Sequence, residues 1–277
     1  MTTANTEDVP GVVSSALFSL DSIICGDNCE VMRQWPDECI DLVVTSPPYD
    51  DLREYGKHEW DFYGVAWNLK RILKPGGVIV WNVGDATKNG GETGTSMRQA
   101  LHFQGIGLLL HDTMIYEKNN FANPSSTRYH QTWEYCFILS KGQPKAWNPI
   151  KDKRNAYPGQ RAHGKNRTKN GWKENTNGES GEWGMRHNVW RYTTGGGHMS
   201  DDGLAHDHPA VFPDALARDH IASWSNPGDI VLDPFAGSGT TLKAAKELNR
   251  RYVGIEVNPE YVKICEERTM QESLPLY

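Results

Sequence analysis

Ile230-Val231-Leu232-Asp233-Pro234-Phe235-Ala236-Gly237-Ser238-Gly239-Thr240-Thr241 is the stretch that decides the fold. Its apolar start reads as a buried strand, and residues 239–248 carry helical spacing behind it. A glycine-bearing turn between strand and helix lets backbone approach a ligand closely at the C-terminal edge of a parallel sheet. The second glycine is not followed by Lys, so a Walker-type phosphate loop is excluded. The next strand, residues 251–257, carries Glu256 near its end, where an acid is placed to hold ribose hydroxyls. A glycine turn needed only for tight helix–strand packing is the plainer alternative, and it gives Glu256 no task.

Working outward from this stretch, the chain alternates. Residues 19–25 read as a strand, 28–35 as a short helix, and 40–45 as a continuous apolar strand of the kind buried in a parallel sheet. Residues 60–73 have helical spacing and stop at Lys74-Pro75-Gly76-Gly77. On that helix Tyr63 and Trp67 are expected in the core. A strand over 78–83, a helix over 97–110 and strands over 113–117 and 135–139 follow. Past the middle of the chain come helices over 213–224 and 259–270, the strand 229–233 and the two elements already described. Alternation of this kind predicts an α/β, doubly wound, mostly parallel sheet.

A second cluster stands directly after the strand 40–45: Thr45-Ser46-Pro47-Pro48-Tyr49. Two prolines hold the chain extended and remove competing backbone donors. Ser46 Oγ and the Pro47 carbonyl can then both accept from one amino group, and Tyr49 offers a flat face on which a base can stack.

Between residues 142 and 206 the periodicity dissolves. Cations crowd this stretch, Lys165, Arg167, Lys169, Arg186 and Arg191 among them, interleaved with Trp147, Tyr157, Trp172, Trp183, Trp190 and Tyr192. A solvated, poorly ordered insertion is one reading. The aromatics favour the other, a nucleic-acid surface with cations for phosphates and aromatics for bases. The net charge of -6 does not oppose it, because the charges are segregated along the chain. Residues 1–141 and 207–277 are then a catalytic and cofactor-binding domain, and 142–206 an inserted recognition region.

Five widely spaced cysteines without a CxxC pair speak against a disulfide framework and a zinc site. No apolar run reaches membrane-spanning length, and the first residues have neither a basic start nor an apolar core, so a cytoplasmic setting is expected. His198, His206, His208, Asp201, Asp202 and Asp207 read as a polar loop rather than a metal site.

The two clusters together resemble the amino-methyltransferases of DNA, the N6-adenine and N4-cytosine group. The catalytic motif of that group is (Asp/Asn/Ser)-Pro-Pro-(Tyr/Phe), and its cofactor motif is Asp-Pro-Phe-x-Gly-x-Gly-Thr-Thr. The catalytic motif here precedes the recognition region and the cofactor motif follows it, a permuted order that resembles the β class. Residues 24–27 resemble the strand whose acid, here Asp27, touches the adenine ring of the cofactor. His208-Pro209 through Leu216 resembles the helix under the methionine moiety, and residues 128–134 the segment flanking the base pocket.

The resemblance implies S-adenosylmethionine as methyl donor, no metal, and double-stranded DNA as partner, in a prokaryotic or phage-type cytoplasm, with restriction-modification as the setting. It implies a catalytic set of Ser46, Pro47, Pro48 and Tyr49. It implies cofactor contacts from Asp27, Thr45, Asp233, Phe235, Gly237, Ser238, Gly239, Thr240, Thr241 and Glu256. Arg53, on a loop after the catalytic motif, joins Lys165, Arg167, Lys169, Arg186 and Arg191 as DNA contacts. Base flipping would bring the target to the pocket. Ser in the first motif position is commoner with cytosine N4, which is the acceptor expected; adenine N6 is the alternative, and an inactive DNA-binding module a more distant one. A homodimer is compatible with the helices but not compelled by them.

Overall fold

The computed structural model describes residues 18–49, 60–121, 124, 126–160, 165–169, 171–174, 178–194 and 213–270. Expectations that fall on Arg53, on the polar loop of His198, Asp201, Asp202, His206 and Asp207, and on His208-Pro209 lie outside the described residues.

The chain opens with β1 (Ser22–Cys25), α1 (Asn28–Arg33), β2 (Ile40–Thr45), α2 (Phe62–Ile72) and β3 (Leu73–Val83). A small ribbon of β4 (Thr87–Lys88) and β5 (Gly91–Glu92) leads to α3 (Thr95–Gly105), β6 (Leu109–Lys118) and β7 (Trp133–Ser140). Next come the short strands β8 (Lys153–Arg154), β9 (Lys165–Thr168), β10 (Gly171–Glu174) and β11 (Trp183–Gly184), then β12 (Val189–Tyr192). The chain closes through α4 (Asp214–Trp224), β13 (Ile230–Asp233), α5 (Thr240–Glu247), β14 (Arg251–Glu256) and α6 (Pro259–Met270).

Eight strands form one sheet in the order β1-β14-β13-β2-β3-β7-β6-β12. The first five run parallel, β7 runs antiparallel to both β3 and β6, and β12 runs parallel to β6. Both faces of the sheet are covered, which is why its central strands read as unbroken apolar runs. Alternate residues enter opposite layers. Val43, Ile79, Trp81, Phe137, Leu139 and Leu232 pack with Met32 of α1, Leu69 of α2 and Phe103 of α3. Leu42, Val44, Val78, Val80, Ile138 and Val231 pack with Leu216 and Ile221 of α4, Leu242 of α5 and Cys265 of α6.

Helix α2 buries Val65, Ala66, Leu69 and Ile72, a stripe spaced at three and four residues. That stripe turns Tyr63 and Trp67 outward, 63% and 55% exposed, so their expected place in the core is corrected. The helix ends where foreseen, but β3 starts at once, through Lys74-Pro75-Gly76-Gly77. Gly76 sits at φ +80°, and a Cβ on Gly77 would stand 2.9 Å from the Asp41 carbonyl oxygen, so both glycines are steric necessities.

The stretch 142–206 is less separate than its composition suggests. Trp147 lies against Trp224 of α4 at 4.6 Å between rings, and β12 is the last strand of the main sheet. What stands apart is the pair β8–β11 and the hairpin β9–β10. Arg186 fastens this part to the sheet-covering layer. Its guanidinium donates to Asp152 (2.7 Å) and to Asp219 of α4 (2.5 Å) and lies 5.0 Å from the Trp190 ring. Tyr192 donates to the same Asp219 oxygen at 2.7 Å. An arginine expected to meet DNA is thus engaged inside the protein, with only 26% of its side chain exposed.

Replacing Arg186 with Met should cost about 2 kcal/mol of stability, since two charge-assisted contacts are lost and two carboxylates are left facing each other. Denaturant unfolding of the two proteins measures this; an unchanged midpoint would remove Arg186 from the scaffold.

Candidate active site

The C-terminal ends of the parallel strands bring the two sequence clusters together. The chain leaves β2 towards β3 on one side and β13 towards β14 on the other, so the crevice between β2 and β13 is the topological switch point of the sheet. Thr45 ends β2 and Asp233 ends β13. Thr45 Oγ1 donates to Asp233 Oδ1 at 2.7 Å, both residues being buried. Thr241 Oγ1 donates to the Val44 carbonyl at 3.2 Å, a second tie between the clusters.

Asp233 Oδ1 also accepts from the Phe235 amide at 3.0 Å, which bends the chain into the glycine turn. Burial pushes the Asp233 carboxyl up to about 6, against the lowering effect of the Thr45 and Phe235 donors and of the nearby Thr241 hydroxyl. Gly237 and Gly239 have φ of +50° and +82°. A Cβ on Gly239 would come within 2.3 Å of Cys265 Sγ, so tight packing alone requires that glycine. Ser238 and Thr240 are buried, and their hydroxyl oxygens accept from Arg268 of α6 at 3.0 and 3.2 Å.

Glu256 ends β14, beside Cys25 at the end of β1, and its carboxylate accepts from the Gly237 amide (2.8 Å) and the Asn258 amide (2.9 Å). One strand further out, Asp27 is exposed and caps α1 by accepting from the Glu30 amide at 2.9 Å. Phe235 is partly buried and meets Trp60 edge to face at 5.0 Å.

On the other side of the switch point, Pro47 is buried while Ser46, Pro48 and Tyr49 are half-buried. Ser46 Oγ and the Tyr49 hydroxyl lie 2.7 Å apart. The Tyr49 hydroxyl also bonds Glu134 Oε2 (3.0 Å) and accepts from Asn82 Nδ2 (2.6 Å). Burial and the Glu134 carboxylate push the Tyr49 phenol well above its ordinary range. Lys118 pairs with Glu134 from β6.

Asn82, Lys118 and Arg268 were not foreseen, and Glu134 was foreseen only as part of a flanking segment. Asn82 alone left a signal, a polar residue within the apolar run of residues 78–83. Of the residues expected to meet DNA, Arg167 and Lys169 are exposed on the β9–β10 hairpin. Arg191 is exposed but bidentate to Glu117 at 2.7 and 3.0 Å. Lys165 lies on β9. Among the described residues no group of three or more His, Cys, Asp or Glu side chains could hold a metal ion, and no helix is long and apolar enough to cross a membrane.

A mostly parallel sheet flanked by helices is the fold of solved DNA methyltransferases. PvuII DNA methyltransferase, described as cytosine-N4-specific, superposes with a TM-score of 0.66 at 22% identity, covering 93% of this chain and 89% of its own. A putative DNA modification methylase of Thermus thermophilus, solved in complex with S-adenosyl-L-methionine, gives a TM-score of 0.59 at 23% identity over 90% of this chain and 92% of its own.

The chain belongs to the N6/N4 DNA methylase family, whose pattern matches residues 40–267. The orphan methyltransferase M.BamHII of Bacillus amyloliquefaciens is 50% identical over 242 residues, 86% of this chain and 91% of that one. Type II methyltransferase M.SmaI of Serratia marcescens is 31% identical over 90% of each chain.

The buried Asp233 generates a pH test. Its folded value is raised to about 6 against an ordinary 3.8, so the folded state holds a proton between these limits that the unfolded state releases. Stability from this group is therefore gained as pH falls from above 6 to below 4, and above 6 the buried charge opposes folding by up to about 3 kcal/mol. Asp233→Asn should melt higher than the parent at pH 8, with about two thirds of the gap gone by pH 4.5 and the rest lost below pH 4. A gap independent of pH would mean that Asp233 is not the titrating group.

Proposed function

We propose that the chain transfers a methyl group from S-adenosylmethionine to the exocyclic N4 of cytosine in double-stranded DNA, after the base has been flipped out. The observation that carries this is the Thr45–Asp233 hydrogen bond, which sets an amine-accepting Ser-Pro-Pro-Tyr turn beside a buried acid at the sheet's switch point.

The residues present fit the donor. Asp233 is a buried carboxyl whose hydrogen-bond donors, the Thr45 hydroxyl and the Phe235 amide, are both neutral. Such a group suits a cationic ligand, which would offset its burial. Glu256 and Asp27 stand at the ends of adjacent strands for the ribose and the adenine, and Gly237 and Phe235 lie between them and Asp233. When bound, S-adenosylmethionine supplies an electrophilic methyl on a sulfonium.

The rest is done by side chains and backbone of this protein. An exocyclic amine is a poor nucleophile because its lone pair is delocalised into the ring. Bonds from its two N–H groups to Ser46 Oγ and the Pro47 carbonyl favour a pyramidal nitrogen with the lone pair released. Tyr49 holds the base by stacking. Positioning and electrostatics supply the rate.

Support for a nucleic-acid partner comes from the β8–β11 and β9–β10 region. Arg154, Arg167 and Lys169 are exposed there beside Tyr157, Trp172 and Trp183, 69%, 70% and 50% exposed. Cations for phosphates next to aromatics for bases give binding that weakens steeply with salt.

The test is to incubate the protein with unmethylated DNA and S-adenosylmethionine and identify the modified nucleoside by mass spectrometry. N4-methylcytosine is expected; N6-methyladenine would keep the chemistry and overturn the choice of base. Ser46→Ala should lower kcat at least a hundredfold, about the cost of losing one transition-state hydrogen bond, with cofactor affinity held within a few-fold. Loss of cofactor binding would contradict that role. Glu256→Ala should instead weaken cofactor binding, read by calorimetry, and unchanged binding would remove it from the ribose.

A further inference from the structure

The hydrogen bonds around Tyr49 fix which way each hydroxyl points. A phenol has one hydrogen to donate and two lone pairs to receive. Glu134, as a carboxylate, has none to give, so the hydrogen in its 3.0 Å contact with Tyr49 comes from the phenol. Its other contacts are donors as well, Lys118 at Oε1 and Asn82 Nδ2 at Oε2 (2.9 Å).

Asn82 Nδ2 fills one lone pair of the Tyr49 oxygen at 2.6 Å. The orientation of that amide is fixed from behind, where Cys136 Sγ donates to Asn82 Oδ1. Burial pushes the Cys136 thiol well above its ordinary range, so it keeps the hydrogen it donates. One lone pair of Tyr49 remains, and Ser46 Oγ, 2.7 Å away, must supply its hydrogen to it. Ser46 is left with two lone pairs and no hydrogen for the cleft.

We propose that Glu134 is a positioning residue for methyl transfer: it sets the polarity of the chain Glu134–Tyr49–Ser46, so that Ser46 Oγ meets the target amino group only as an acceptor. The proposal rests on the amino-methyltransferase function inferred above. The direction matters because a serine hydroxyl can act either way. With the chain reversed, Tyr49 donates to Ser46 and the Ser46 hydrogen points at the base. There it would bond a ring nitrogen or the amino lone pair, the electrons that must attack the methyl group. With the chain as found, Ser46 draws an N–H and leaves that lone pair free.

Lys118 drives the reversal in Glu134→Gln, at the expense of the bond from Asn82 Nδ2, which then faces the glutamine NH2. A glutamine at this position must turn its oxygen to the ammonium, which turns its NH2 towards Tyr49 and makes the phenol an acceptor there. The hydrogen of Tyr49 then goes to Ser46. Tyr49→Phe removes the link while keeping the ring that stacks on the base.

The experiment measures kcat, KM for DNA and cofactor Kd for the full-length parent, Glu134→Gln, Tyr49→Phe and the double variant, with the methylated nucleoside identified for each. Expected are a fall in kcat of about tenfold or more in each single variant, KM and Kd within about twofold, and no further fall in the double variant. Single-variant kcat within twofold of the parent, or losses that multiply in the double variant, would overturn the proposal. If Glu134→Gln does not fold, Tyr49→Phe alone decides, since it removes one oxygen: unchanged kcat overturns the link and a kcat-only loss supports it. A parent that methylates no base would defeat the function itself, a failure distinct from a parent that methylates with Glu134 indifferent.

Discussion

The bond between Thr45 and Asp233 joins residues 188 positions apart, and the rest of the site depends on it. It can form only if β2 and β13 are neighbours, parallel and in the register that pairs Leu232 with Val43. A slip of one residue would turn Asp233 into the opposite layer and carry Thr45 away from it. The Ser-Pro-Pro-Tyr turn and the glycine turn are therefore brought together by the pairing of two largely buried strands. No loop closure is needed, and the geometry inherits the rigidity of the sheet's centre.

That rigidity has a source in the layers. Every central strand feeds both packed clusters, so neither layer can shift without the other. The ionised form of Asp233 is costly where it sits, and only a structure held this firmly from both sides can keep it there. Arg268 does a similar service from α6. Fully buried, it reaches the Ser238 carbonyl and both neighbouring hydroxyls, and so fixes the back of the glycine turn. The Ser238 and Thr240 hydroxyls of the family motif are part of this support.

The elements that were legible in the sequence are those whose physics is local. The strand over residues 40–45, the helix stop at Lys74-Pro75-Gly76-Gly77 and the helix over 259–270 each follow from short-range pattern and came out where the pattern put them. Tyr63 and Trp67 sit among apolar residues at helical spacing, but the stripe at 65, 66, 69 and 72 is the one that packs and decides which way the helix turns. Strand β12 was missed because it lies at the sheet's edge in a polar stretch and pairs with a strand over 70 residues earlier. Arg186, Arg191 and Arg167 look alike as sequence. Only the fold separates one that braces α4 and one paired with Glu117 from one left exposed on a hairpin.

The same limit explains why Glu134 is visible only in three dimensions, and what it adds to the choice of serine at position 46. The family motif allows Asp, Asn or Ser there. An ionised aspartate can only accept, so its polarity towards an amine needs no help. A serine is ambiguous, and its neutral oxygen is a weaker acceptor. Here the ambiguity is removed by a carboxylate two hydroxyls away, and each hydroxyl that donates becomes a better acceptor in turn. In the proposed reaction Ser46 thus meets the amine with part of the character of an aspartate while the negative charge itself stays on Glu134, paired with Lys118. A charge kept off the amine leaves space and neutrality beside a base whose ring nitrogen also needs solvation. The serine is then not a lesser aspartate but one end of a three-residue acceptor, and its chemistry cannot be read from the motif without Glu134.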